Sequence, residues 1–514
     1  MPDLGGLSPL PRASGILLHV SSLPGPFGIG DVGPEAHRFV DFLADHHQQL
    51  WQILPLGPTK GGSAHSPYDA LSAFAGNPLF ISPELLAQDG LLPTSALNEI
   101  STLPEGSVNY LEASARKLAL FRFASERFTD AASSVQQATF SDFCERHRWW
   151  LDDYARFMAL RDAGHEQAWF AWEPNLVRRD PATLTQWEAT HAHDIRFHQH
   201  LQFFFFTQWE RLKTYANQRG VKLVGDIPIY VGLDSAEVWA NPDIFVLDRQ
   251  TYTPRFVAGV PPDYFSETGQ RWGNPLYRWR DEDNRPVESV YTWWSQRFQA
   301  IFTLVDIVRI DHFRGFEAYW AIPSEEETAI HGQWQPGPGA ELFTRVQTER
   351  GELPVIAEDL GIITPEVDAL RRQFGFPGMK VLQFAFGGDA RNPYLPHNYA
   401  DPRCVVYTGT HDNDTTQGWF HALSSQEQVT VLRYLGRTEA TEIHWDLIRL
   451  ALGSIATLAI VPLQDILGLG SEARMNTPAQ RQGNWAWRFF PGALSLELGA
   501  RLAEMTSIYG RDAE

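Results

Sequence analysis

Cysteine is nearly missing from this chain. Two in 514 residues, Cys144 and Cys404, exclude a disulfide scaffold and fit a reducing compartment. Basic charge is also scarce: 42 basic side chains stand against 62 acidic ones. The resulting formal charge of −20 excludes a phosphate-tracking surface, so nucleic acid is not an expected partner. The same balance speaks against docking on an anionic membrane. No run approaches the ~18 uninterrupted apolar residues that a membrane helix needs. Met1 to Leu10 carries Asp3 and no basic cluster ahead of an apolar run, so it does not read as a secretory signal and the expected location is cytoplasmic. The G-x-S-x-G elbow of serine hydrolases is absent.

Aromatic residues, by contrast, are plentiful: 32 Phe, 18 Trp and 15 Tyr. With 43% hydrophobic and 20% charged residues the chain is globular, and most aromatics belong to its core. Aromatic faces also bind sugar rings, and a neutral substrate suits the acidic surface. Phe203–Phe206 and Trp149-Trp150 are assigned to packing.

Eight short apolar runs end in polar residues: Gly15–Val20, Leu50–Pro55, Val221–Ile229, Leu304–Ile310, Leu353–Ala357, Met379–Phe384, Cys404–Thr408 and Leu458–Leu463. Continuous rather than alternating hydrophobicity marks parallel strands covered by helices. Amphipathic helical stretches such as Pro34–His47 and Pro365–Gln373 lie between them, the second with Thr364 as its N-cap. Eight strands alternating with helices predict one (β/α)8 barrel over residues 1–514. Two gaps far exceed the about 30 residues of a plain βαβ unit. Residues 82–219 therefore read as a mainly helical insertion after the second strand. Residues 230–290, rich in Pro, Gly and Trp, read as a loop-rich insertion after the third. Leu494–Tyr509 reads as a helical tail.

Chemistry in such a barrel lies at the strand C-termini. Here those ends carry acids: Asp226, Asp311, Glu358, Asp412 and Asp465. Two converging carboxylates can cut a glycosidic bond, and for a retaining enzyme they stand about 5–5.5 Å apart. Asp311 and Glu358, on adjacent strands, suit that distance. Alternation puts Arg309 on the same face as Asp311, where it would keep the carboxylate ionised. The competing explanation is a structural Arg–Asp pair within the barrel layers. Asp359 should face away from the site, as should His312 if the strand stays regular. Asp414 and Asp465 read as loop caps or ion-pair partners.

These residues carry a resemblance. Arg309-Ile310-Asp311-His312-Phe313-Arg314-Gly315, Ala357-Glu358-Asp359-Leu360-Gly361 and Thr410-His411-Asp412-Asn413-Asp414-Thr415 are similar to motifs of the 4-α-glucanotransferases called amylomaltases or disproportionating enzymes, within the α-amylase clan. So are Ser21-Ser22-Leu23-Pro24, Ser66-Pro67-Tyr68, Pro261-Pro262-Asp263-Tyr264-Phe265-Ser266, Gln270-Arg271-Trp272-Gly273-Asn274-Pro275 and Met475-Asn476-Thr477. The resemblance spans nearly the whole chain. It implies Asp311 as nucleophile, Glu358 as general acid/base and Asp412 as a third carboxylate gripping sugar hydroxyls. It implies that Arg309, His411 and Asp226 surround the sugar at the point of cleavage. Asp263, Gln270 and Trp272 would belong to a mobile loop beside the acceptor, Trp272 and Tyr68 would stack on glucose rings, and Asn476 would touch substrate. The implied substrates are maltooligosaccharides and starch- or glycogen-type α-1,4-glucans, with no metal and no cofactor. One departure is visible: several family members carry a tyrosine between Pro58 and Ser66, and this chain has none there.

Two weaker signals point elsewhere. Gly28-Ile29-Gly30-Asp31-Val32-Gly33 matches G-x-G-x-x-G, but seven residues separate it from the first strand and Asp31 would repel a pyrophosphate. A turn into the first helix is the better reading. His191-Ala192-His193 lacks the partners of a metal site. An α-glucan hydrolase and a non-catalytic glucan-binding protein remain as alternatives.

Overall fold

The computed structural model describes residues 11–61, 65–98, 105–164, 167–262, 266–480 and 482–512. Its strands in chain order are β1 (Ala13–Leu17), β2 (Leu50–Gln52), β3 (Lys222–Pro228), β4 (Phe256–Val260), β5 (Gln270–Pro275), β6 (Ile307–Asp311), β7 (Ala318–Pro323), β8 (Gln333–Pro336), β9 (Val355–Ala357), β10 (Gly378–Val381), β11 (Cys404–Tyr407) and β12 (Leu458–Pro462). Eight form one parallel sheet, in the order β10-β11-β12-β1-β2-β3-β6-β9. Its two ends meet: the Ala357 amide donates to the Pro377 carbonyl at 2.9 Å, and the Met379 amide donates to Asp359 Oδ1 at 2.7 Å. Asp359 thus closes the barrel instead of facing the site. All eight predicted strands are present, and the fold is a (β/α)8 barrel.

Pleating divides each strand between two cores. Leu50, Val224, Ile307, Ile356, Val405 and Ile460 fill the barrel interior, while Trp51, Leu223, Val308, Val355, Val406 and Ala459 pack outward on helices. Burying each such side chain contributes roughly 1.5–3 kcal/mol. Burial on both faces explains why these strands read as unbroken apolar runs. Helix Pro34–Asp45 starts with Pro34 at its first turn and turns Ala36, Phe39, Val40 and Leu43 inward at helical spacing. Helix Pro365–Gln373 begins after Thr364, whose side chain makes no capping hydrogen bond.

The glycine-rich turn before the first helix is a packing feature. Gly28 has φ +78°, and a Cβ on Gly30 would lie 2.0 Å from the Val20 carbonyl oxygen. Asp31 accepts from the Gly33 amide at 3.0 Å and pairs with the buried Lys117 ammonium at 2.9 Å. That ion pair fastens helix Tyr110–Ala131 to the barrel.

Between β2 and β3 the chain builds long helices. Tyr110–Ala131 is capped by Asn109, Ser134–Ala163 by a Ser133/Gln136 capping box, and Pro181–Gln218 by Asp180. The last is kinked at His191, whose ring stacks on Trp187 at 4.0 Å. Phe203, Phe204, Phe205 and Trp150 are buried, while Trp149 keeps 42% of its surface exposed. After the terminal helix Leu496–Ile508, the buried Arg511 donates to the carbonyls of Ala13, Leu452, Ala456 and Thr457, tying the chain end to β1 and β12.

The segment 230–290 is less loop-like than its composition suggests. It supplies β4 and β5, which join β7 and β8 in an antiparallel sheet of order β5-β4-β7-β8. Gln, Gly and Pro in Gln270–Pro275 and Gln333–Pro336 break the apolar alternation that marks a strand, so these strands carry no periodic signal. Among the described residues no helix is long and apolar enough to cross a membrane.

Candidate active site

The C-terminal ends of β3, β6 and β9 meet at one point. Register pairs Asp226 with Arg309 and Ile310 with Ala357, so Asp311 and Glu358 follow as the next neighbours across β6 and β9. Both point to the barrel interior, on strands about 4.8 Å apart.

Arg309 organises this cluster. Its Nη1 lies 2.6 Å from Asp226 Oδ2 and 3.0 Å from Asp311 Oδ1. Burial works against the guanidinium charge, but the flanking carboxylates of Asp226 and Asp311 raise its pKa well above the usual arginine range. The Tyr68 hydroxyl donates to the same Asp226 oxygen at 2.8 Å. Burial pushes the Asp226 carboxyl up to about 7, against the pull of Arg309. Asp226 is therefore the buried anchor and Asp311, about one-third exposed, is the open carboxylate.

Glu358 is held by main chain. The His312 amide donates to Oε2 at 2.7 Å and the Leu360 amide to Oε1 at 2.8 Å. His312 can do this because β6 stops at Asp311 and His312 turns into the left-handed region, with φ 51° and ψ 51°. The expected regular continuation of the strand ends there, and the reversal turns the amide toward Glu358. Such a conformation costs a non-glycine residue of order 1–3 kcal/mol and persists where surroundings impose it. Burial pushes Glu358 up to about 7; Arg309 opposes this and the charge of Asp311 adds to it.

Asp412 enters from the loop after β11, with about half of its side chain exposed. Asn476 Nδ2 donates to its Oδ1 at 2.6 Å, and Arg474 donates to its carbonyl at 2.7 Å. His411 Nε2 stands 3.4 Å from Asp412 Oδ2, and burial lowers the imidazole pKa. Tyr68, expected to offer its ring to a sugar, has one face stacked on His411 at 5.1 Å. Trp485 supports both rings, at 5.9 and 6.0 Å, and is itself a residue the sequence reading missed. Its left-handed φ of 63° and the amide clamp on Glu358 are backbone features with no side-chain signature.

Trp272 on β5 is exposed and meets the His312 ring edge-on at 4.8 Å. Its Nε1 donates to Gln270 Oε1 at 3.2 Å. Asp263, with Tyr264 and Phe265, lies outside the described residues, as do residues 62–64 of the loop that lacks tyrosine. Asp465 accepts from Thr408 and Thr416, and Asp414 from Ser471, so both brace loops. No group of three His, Cys, Asp or Glu side chains suited to a metal ion occurs among the described residues.

A parallel eight-stranded barrel with paired acids gathered at its strand ends is an enzyme architecture, and such a pair can act on glycosidic bonds. A family model described as 4-alpha-glucanotransferase matches residues 18–492. The chain belongs to that family and is an enzyme of that activity. It is 50% identical over 501 residues to the 4-alpha-glucanotransferase of Synechocystis sp., covering 97% of this chain and 98% of that protein. It is 50% identical over 502 residues to that of Thermus thermophilus, covering 96% and 98%. The solved amylomaltase from Streptococcus agalactiae, in complex with acarbose, superposes with a TM-score of 0.92 at 38% identity, over 98% of this chain and all of that one. The non-catalytic reading is set aside.

Proposed function

We propose that the enzyme transfers α-1,4-glucan segments by double displacement, with Asp311 and Glu358 as the reacting pair. The observation that carries this is their neighbouring placement at the C-terminal ends of β6 and β9, with Arg309 on Asp311 and a raised proton affinity on Glu358. Glu358 gives its proton to the glycosidic oxygen as an Asp311 oxygen attacks the anomeric carbon. The carbon–oxygen bond to the leaving glucan breaks and a glycosyl ester forms on Asp311. The departed glucan is replaced by an acceptor. Glu358, now a carboxylate, takes the proton of the acceptor's 4-hydroxyl, whose oxygen attacks the anomeric carbon and releases Asp311.

The remaining residues prepare this step. Asp412, fixed by Asn476, holds hydroxyls of the sugar being cleaved and favours its distorted ring. Arg309, Asp226, His411 and Tyr68 form the floor beneath that sugar. Trp272 and Gln270, with Asp263, line the acceptor side. Maltooligosaccharides and starch- or glycogen-type glucans fit as substrates. Both cysteines are free thiols, which suits a cytoplasmic enzyme. We read the chain as one catalytic barrel, with residues 82–219 as a helical insertion and 230–290 as the insertion that covers the cleft.

Incubation with maltotriose tests the reading. Glucose and longer maltooligosaccharides are expected, with total reducing ends constant. A steady rise in reducing ends would mean hydrolysis instead. The pH profile adds a second check. Glu358 must start protonated, and its pKa is raised to about 7. The value of kcat/KM is therefore expected to fall tenfold per pH unit above about 7. A profile flat to about pH 9 would remove Glu358 as the acid.

A further inference from the structure

The antiparallel sheet presents a second exposed tryptophan that the mechanism does not use. Trp334 lies on the edge strand β8, two-fifths exposed, between exposed Gln333 and half-buried Gln335. Register places it opposite Trp320, on the other face of the sheet from Trp272.

The ring is fixed in place. The Arg314 guanidinium lies 3.9 Å over it, and Trp320 meets it at 5.1 Å and 66°. Arg314 is in turn anchored, its Nη1 donating to the Ile362 carbonyl at 2.5 Å. Arg314 is three residues beyond Asp311, and Ile362 is four beyond Glu358. The indole is therefore tied to the ends of both strands that carry the reacting pair. Ile362 itself is half exposed.

Arg314 is unusual too. It is only 6% exposed, and among the described residues its Nε has no hydrogen-bond partner. Burial depresses its pKa, the nearby charge of Glu317 opposes this, and the indole face adds a cation–π contact. A rigid, exposed aromatic plate backed by a buried guanidinium suits a ligand that is neutral, with apolar C–H faces and hydroxyl edges. It repels cations and offers nothing to an acidic peptide beyond one shielded charge. A glucose unit has that combination, and the acceptor glucan of the proposed mechanism begins beside Glu358.

We propose that Trp334, held in place by Arg314, forms a remote glucose subsite for the acceptor chain, reached from Glu358 past Leu360 and Ile362. This rests on Glu358 as the acid/base, because the acceptor lies on the side of that residue. The subsite touches no reacting atom. It selects acceptors long enough to reach it.

The test is an acceptor-length series. With one fixed donor, kcat/KM is measured for glucose and for maltooligosaccharide acceptors up to maltohexaose. In Trp334→Ala the ratio of kcat/KM for maltohexaose to that for glucose is expected to fall about tenfold. Trp334→Phe, which keeps an aromatic plate, is expected to restore most of it. An unchanged ratio, whether or not the overall rate drops, would overturn the proposal. So would a ratio that moves only when donor length is varied against glucose, since that assigns the ring to the donor side. Failure of the acid/base reading is separate: it appears as undiminished transfer to glucose in Glu358→Gln.

Discussion

Asp311→Asn is expected to lower kcat for maltotriose disproportionation on the order of 10⁴- to 10⁶-fold, the scale on which removal of a covalent nucleophile acts. The amide keeps the shape of the carboxylate but brings no nucleophilic oxygen to the anomeric carbon. The substitution leaves the barrel intact for a physical reason. Asp311 is about one-third exposed, and its partner Arg309 keeps the stronger contact to Asp226 at 2.6 Å. The guanidinium is not left as an unpaired buried charge. Donor KM should therefore move far less than kcat, because the floor built by Asp226, Tyr68 and His411 is untouched. Mass spectrometry after a slow 5-fluoroglycosyl fluoride donor provides the direct check. The native enzyme should gain one glycosyl unit on the peptide containing Asp311, and the variant none. A variant retaining a tenth of the native kcat, or a label on a different acid, would overturn the assignment.

Much of this site was visible in the chain because barrel strands end where apolar runs end. Val221–Ile229 and Leu304–Ile310 located Asp226 and Asp311 to within a residue of where β3 and β6 deliver them. Alternation was enough to place Arg309 beside Asp311. Where the reading stopped short, backbone conformation decided the outcome. His312 was expected to face away. Its left-handed turn brings an amide, not a side chain, to Glu358. Tyr68 reaches Asp226 with its hydroxyl, but its ring partner, His411, comes from a loop more than three hundred residues later. Sequence periodicity carries no information on such a contact. The sheet of β4, β5, β7 and β8 escaped because edge strands with Gln and Pro owe their pairing to neighbours, not to their own hydrophobic pattern.

Glu358→Gln separates the two half-reactions, and the leaving group decides which one suffers. With maltotriose, whose departing sugar needs a proton, the rate should fall about 10²- to 10⁴-fold. With α-glucosyl fluoride the leaving anion needs little protonation. Glycosylation of Asp311 should then stay within a few-fold of native, and a burst of fluoride should precede a slow phase limited by the acceptor. The substituted amide accepts no proton from a 4-hydroxyl, so the ester persists until a nucleophile arrives that has no proton to lose. Azide is such a nucleophile: it should accelerate the slow phase and leave α-glucosyl azide, the product of two inversions. The high-pH limb near 7 should vanish with the carboxyl that causes it. The amide clamp explains why the variant should still fold: the carbonyl oxygen of the new side chain can accept one of the two N–H donors, from His312 or Leu360. The other donor then faces an NH₂ group, so some loosening of the His312 turn is expected, readable as a modest loss of thermal stability. Equal rate losses with maltotriose and with glucosyl fluoride would show that Glu358 holds the site together without handling a proton. Loss of the native pH limb together with azide rescue requires both the proton and the covalent ester.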